Sequence, residues 1–225
     1  MDKKRSVSRL IAEQGVVPLY YAGDAEVSIG LMRALYAAGI RTTEYADRGE
    51  SALKNFRAMR KACDAEMPGM CLGIGTIKEA GSAQAYIDAG AEFLVCPGML
   101  EPVLEISEQN NLLCIPGCMT PSEIIRAESL GASIVKLFPA NTLTPGFVDA
   151  VQALFPGISF LPTGGIALDE NNLRSWFKSG VCAVGGSKMI TKAIIENQQY
   201  AELTAEARVV LERIKTVRSS LSNKE

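Results

Sequence analysis

Leu112-Leu113-Cys114-Ile115-Pro116-Gly117, then Thr120-Pro121-Ser122-Glu123, Leu130-Gly131 and Ser133-Ile134-Val135-Lys136-Leu137-Phe138-Pro139, together spell out one complete structural unit. The first apolar run is short and closed by proline and glycine, which predicts a buried strand over 112–115. Thr120 and Glu123 stand at capping-box spacing with Pro121 at the first helical position, so a helix starts there and runs over 121–130. Gly131 supplies the stop. The next run, 133–138, reads as a second strand. A strand, a capped helix and a strand in this order imply a right-handed crossover between parallel neighbours.

The same unit recurs in both directions along the chain. Further strands are predicted at 16–21, 42–44, 70–74, 93–96, 158–161 and 182–184. Helical periodicity occupies 25–38, 52–63, 77–89, 100–109, 147–154 and 173–179, and glycine stops recur at Gly39, Gly90 and Gly180. Eight strand–helix units in a chain of 225 residues fit a (β/α)₈ TIM barrel, an α/β fold. Periodicity alone leaves an open doubly wound sheet as the alternative. No linker or low-complexity segment divides the chain, so residues 1–225 are expected to form a single barrel domain. An N-terminal helix over 7–14 and a long C-terminal helix over 200–217 are expected to flank it.

Composition narrows the function. Lysine plus arginine number 23 against 25 acidic residues, a net charge of -2, which argues against a general nucleic-acid binder. The charged start Met1-Asp2-Lys3-Lys4-Arg5 lacks an apolar signal core, and no apolar run is long enough to span a bilayer. A cytoplasmic protein without membrane partners is the expectation. The six cysteines form no C-x-x-C pair and fit buried free thiols. Histidine is absent, which removes histidine-based triads, histidine general bases and the commonest metal ligand. Neither a metal site nor a cofactor is predicted.

Within the apolar strand 133–138 stands one cation, Lys136. Lysine is rarely buried without a partner or a task. Burial disfavours the ammonium form, and a neutral amine in a cleft can attack a ketone to form a Schiff base. The plainer reading is a stem that packs while its head reaches solvent or a carboxylate. In a barrel the C-terminal strand ends carry the chemistry. Those ends hold Glu44, Asp47 and Arg48 after strand 2, Gly75-Thr76 after strand 3 and Pro97 after strand 4. Phe138 follows strand 6, Thr163-Gly164-Gly165 strand 7, and Gly185-Gly186-Ser187 strand 8. Glycine-rich turns after strands 7 and 8 are a recurrent phosphate cradle, although tight turns alone also use glycine. Glu44 offers a proton-transfer carboxylate and Arg48 a carboxylate clamp, or the two form a surface ion pair. Thr76 adds a hydroxyl or simply caps a helix. Of Tyr20 and Tyr21, one is expected in the core and one in the pocket; Asp47 has no assignable role.

Taken in order, Val16-Val17-Pro18, Glu44-x-x-x-Arg48, Gly73-Ile74-Gly75-Thr76, Pro97-Gly98, Ile115-Pro116-Gly117, Lys136-Leu137-Phe138-Pro139-Ala140, Pro162-Thr163-Gly164-Gly165 and Gly185-Gly186-Ser187 resemble the 2-keto-3-deoxy-6-phosphogluconate aldolase family, which includes 4-hydroxy-2-oxoglutarate aldolases. The resemblance implies a metal-independent class I aldolase on a (β/α)₈ barrel, a homotrimer that splits a 2-oxo acid into pyruvate and an aldehyde. It implies Lys136 as the Schiff-base lysine and Glu44 as the general acid/base acting through water. Arg48 and Thr76 would then hold the pyruvyl carboxylate, and Gly164, Gly165, Gly186 and Ser187 the distal phosphate. Pro97, Phe138 and Thr163 would shape the pocket. Two departures bear on the aldehyde partner rather than on the catalytic pair. Glu44-Tyr45-Ala46-Asp47-Arg48-Gly49 stands where the family often has Glu-Val-Thr-Leu-Arg-Thr, and Asn141 where it often has Glu. The other readings of the same residues are a phosphate-binding barrel isomerase or epimerase and a non-catalytic sugar-phosphate binder.

Overall fold

In a computed structural model that describes residues 3–222, eight parallel strands close into a cylinder. In barrel order they are β1 (Val16–Val17 with Leu19–Tyr20), β2 (Thr42–Ala46), β3 (Cys71–Gly75), β4 (Phe93–Val95), β5 (Leu113–Ile115 with Gly117–Cys118), β6 (Ile134–Leu137), β7 (Ser159–Pro162) and β8 (Val184–Gly185). β2 pairs residue for residue with β3, and β6 with β7. Closure comes from Val16 and Val17 pairing with Val184 and Gly185, and from the Cys182 N–H donating to the Phe160 carbonyl at 3.0 Å. A closed ladder has no edge, which excludes the open doubly wound sheet.

β1 and β5 are each broken by a proline, at Pro18 and Pro116. Proline has no N–H to give, so the ladder interrupts there. Its carbonyl still accepts. Pro18 takes the Glu44 N–H and Pro116 the Lys136 N–H, both at 2.9 Å.

Strand alternation divides the apolar residues into two sets. Inward-facing Val17, Cys71, Phe93, Val95, Leu113, Ile115, Ile134 and Leu161 fill the barrel. Helix α1 (Lys3–Gln14) plugs its N-terminal end with Val7 and Ile11, one turn apart on one face. Outward-facing residues pack beneath α2 (Ala25–Ala38), α3 (Ala52–Glu66), α4 (Ala80–Asp88), α5 (Glu101–Gln109), α6 (Pro121–Ser129), α7 (Ala140–Val151) and α8 (Glu170–Lys178). The capping box at Thr120 and Glu123 forms as its spacing predicts, and Gly39 ends α2 at φ +105°. After the short α9 (Lys192–Glu196), α10 (Tyr200–Ser222) buries Leu203, Ala207, Val210, Ile214 and Val217 against α2 and α8. The C-terminal helix, expected only to flank the barrel, thus completes the outer ring.

Most element ends move by a few residues from the sequence expectation, and three differences matter for the site. β2 runs on to Ala46 because Tyr45 and Ala46 keep pairing with Ile74 and Gly75. α7 starts at Ala140 instead of 147, and Thr144 and Pro145 kink it, which conceals the helical period. α9, one short turn capped by Thr191, shows no amphipathic repeat from which to predict it.

Candidate active site

The register puts two ionisable side chains inside the barrel at its C-terminal end. Lys136 shares the inward phase of Ile134 on β6, and Glu44 lies inward on β2 while Tyr45 packs outward in the core. Only 6% of Lys136 and 4% of Glu44 is exposed. Both line a cavity of about 510 Å³. Gly75, the β3 residue opposite Ala46, makes room for the acid, since a Cβ there would overlap the Glu44 carboxyl group.

Burial raises the Glu44 carboxyl above the ordinary carboxylate range, and the charges of Lys136 and Arg48 pull it partly back. Amine and acid therefore sense one another, yet no ion pair within 4.0 Å joins them among the described residues. That gap leaves space for a reacting carbon or a water between them. The Lys136 Nζ lies 5.2 Å from the ring centre of Phe138, a cation–π distance for the ammonium form.

Around this pair the cavity wall brings together most of the residues expected at the strand ends: Arg48, Thr76, Pro97, Phe138, Thr163, Gly164 and Ser187. Arg48 is exposed at the rim, and Thr76 turns at φ +66°, left-handed backbone that a β-branched residue rarely adopts. The loop after β7 is shaped by Gly164 and Gly165, at φ +95° and +80°, and two bonds tie it to the start of α7: Ala140 N–H to Thr163 O and Asn141 N–H to Gly164 O, each 2.9 Å.

Two expected phosphate contacts lie outside the cavity lining. Gly186 spends its N–H on the Val17 carbonyl at 2.8 Å, closing the β8–β1 seam, and Gly165 packs on Asn141. Leu19, Ala46, Ile190 and Ile195 line the cavity unanticipated. Leu19 and Ala46 follow from strand alternation once the inward phase of Glu44 is known. Ile190 follows a single turn over Ser187–Met189, and Ile195 lies on α9, neither of which the sequence pattern predicts. Tyr20 and Tyr21 both reach the cavity rather than one only. Tyr20 is also core, donating from its hydroxyl to Ser28 O at 2.9 Å. Among the described residues no helix is long and apolar enough to cross a membrane, and no group of three acidic or cysteine side chains gathers as a metal site.

Residues 7–206 match the family model of KDPG and KHG aldolases. A 2-dehydro-3-deoxy-phosphogluconate aldolase of Dickeya dadantii is 33% identical over 208 residues, 91% of this chain and 94% of the relative. The KHG/KDPG aldolase of Escherichia coli K12 is 32% identical over 217 residues, 94% of this chain and 98% of that protein. Among solved structures, the KDPG aldolase of Legionella pneumophila, with pyruvate captured at low pH as a covalent carbinolamine intermediate, superposes with a TM-score of 0.83 at 27% identity, covering 90% of this chain and 97% of that one. Its eight-stranded barrel, its buried lysine–glutamate pair and these matches over nearly its whole length place the chain in the KDPG and KHG aldolase family.

Proposed function

We propose that the chain is a Schiff-base aldolase that cleaves a 2-keto-3-deoxy sugar acid 6-phosphate, or 4-hydroxy-2-oxoglutarate, to pyruvate and an aldehyde. The observation that carries this reading is the buried Lys136 amine sharing one cavity with Glu44 without being paired to it.

In the reaction the unprotonated Lys136 amine attacks the C2 carbonyl, and Glu44 helps the carbinolamine hydroxyl leave as water. The resulting iminium is an electron sink. The C3–C4 bond breaks toward it while Glu44, directly or through a water, takes the C4 hydroxyl proton; the aldehyde departs and an enamine of pyruvate remains. Protonation at C3 and hydrolysis of the iminium release pyruvate and the free amine. Arg48 and Thr76 would hold the carboxylate next to C2, a charge-assisted clamp at the rim. The amides of Gly164 and Ser187 would face the distal phosphate, with Gly165 and Gly186 shaping those turns. Pro97, Phe138 and Thr163 form the walls between. Neither metal nor cofactor takes part in this scheme.

Borohydride reduction in the presence of pyruvate tests the reading. Mass spectrometry should find the reduced adduct on the peptide bearing Lys136, and Lys136→Met should carry neither adduct nor turnover. Full activity with Lys136 unmodified would defeat it. The six unpaired cysteines fit a reducing compartment, so we place the enzyme in the cytoplasm. A homotrimer and a single folded unit over 1–225 complete the proposal, read out by analytical ultracentrifugation and by one cooperative unfolding transition.

A further inference from the structure

Asp47 directly precedes Arg48 and is absent from the cavity wall, yet both its backbone and its carboxylate are tied to neighbouring elements. Its N–H donates to the Gly75 carbonyl at 2.8 Å. Its carboxylate accepts from the Tyr86 hydroxyl at 2.7 Å and from the Ser82 hydroxyl at 2.9 Å. The two donors stand one helical turn apart on α4, so a single acid joins the end of β2, the end of β3 and the first turns of α4. Tyr86 is itself buried, packed edge-on to Phe56 with ring centres 5.3 Å apart. Burial, then the bond to Asp47, raise its phenol, which keeps the proton on the tyrosine and fixes the direction of donation.

Two features show why this corner needs an outside anchor. α4 lacks a side-chain cap of its own, because Glu79 at the N-cap makes none. Thr76, between Gly75 and α4, holds a left-handed backbone that persists only where the surroundings impose it. Asp47 grips the chain on both sides of that residue, while Arg48 leaves from its own carbonyl.

We propose that Asp47 is a positioning residue for the carboxylate end of the substrate, holding Arg48 and Thr76 at a fixed separation through its bonds to Gly75, Ser82 and Tyr86. The proposal rests on the aldolase reading above. It separates Asp47 from the acid–base chemistry: its carboxylate is taken up by two hydroxyls of α4 and lies outside the cavity lining.

The test compares wild type, Asp47→Ala, Asp47→Asn, Tyr86→Phe and the Asp47→Ala/Tyr86→Phe double variant, each measured for aldol cleavage and for the pyruvate concentration giving half-maximal borohydride trapping. Asp47→Ala should raise both KM and the pyruvate half-saturation about tenfold, with kcat within about twofold of wild type. Asp47→Asn keeps an acceptor oxygen and should recover most of the affinity. Tyr86→Phe should shift the same way by a smaller amount, and the double variant should be no worse than Asp47→Ala alone, as expected when two residues act through one contact. An unchanged half-saturation in Asp47→Ala and Tyr86→Phe, whatever their melting temperatures, overturns the inference, as does a fall in kcat at constant KM. A wild type that traps no pyruvate overturns the aldolase reading and this inference with it. Trapping by wild type alongside an unaltered Asp47→Ala overturns the inference alone.

Discussion

Glu44 lives under opposing demands. Its carboxyl is buried, which favours the protonated form, but the proposed proton transfers need it to ionise in turn. Because its folded value lies above its unfolded one, the folded protein binds that proton more readily. The stability it confers is complete below the ordinary carboxylate range and is lost as pH rises through the raised value. Glu44→Gln removes the ionisation, so it should melt a few degrees above wild type near pH 8, and the difference should vanish at pH 4. Its kcat should meanwhile drop by about 10²–10⁴-fold, the usual contribution of a general acid/base. Differential scanning calorimetry at the two pH values, set beside turnover, checks both halves. At this scale the sequence was informative wherever a residue conflicted with its surroundings. Lys136 is a charge in an apolar run, and Glu44 and Arg48 stand at a strand end where a barrel keeps its chemistry. Asp47 was opaque because its partners lie 35 and 39 residues away. Gly186 looked like Gly164, but its N–H goes to Val17 in the β8–β1 seam and it lies outside the cavity lining.

Among the elements, α1 joins the floor of the barrel to its first two strands. Gln14 ends it by bonding to β1 and β2 at once, donating to the Val16 carbonyl of β1 and, on β2, accepting from Thr42 N–H at 2.9 Å and donating to Thr42 O at 2.9 Å. Ile11, fully buried, fills the barrel floor far from the cavity. Ile11→Ala should destabilise the fold by about 2–5 kcal/mol through lost burial and the void left behind, yet leave pyruvate trapping by the folded protein within about twofold of wild type. Chemical denaturation and the trapping assay measure the two effects separately. Glycine stops and the Thr120 capping box made most helix ends legible, because those signals are local. The kink at Thr144–Pro145 hides the start of α7, and α9 is too short to show a period, so the wall contributed by Ile190 and Ile195 beside and on α9 was invisible.

Across the whole molecule, eight strand–helix units were legible from their count and rhythm, whereas closure rests on the long-range pairing of β8 with β1, which no local period encodes. Five of the six cysteines lie on or next to barrel strands and Cys63 lies on α3, all without a disulfide. Burial pushes the thiols of Cys63 up to about 11 and of Cys118 and Cys182 to about 12, and the neighbouring Cys114 together with burial raises Cys96 as well. Burial raises the Cys71 thiol too, so at pH 8 thiolate is scarce at all five, and Ellman's reagent should react slowly with the native protein and promptly with six equivalents in denaturant. A fast native burst larger than one equivalent would contradict this packing. The two proline carbonyls that receive the Glu44 and Lys136 amides have a broader consequence. β1 and β5 face each other across the cylinder, so the acid and the amine hang from matching pegs on opposite halves of one rigid hoop. The girth of that hoop, and no mobile loop, gauges the span between them. Rebuilding the rim would change which aldehyde is admitted while leaving the reactive pair in tune.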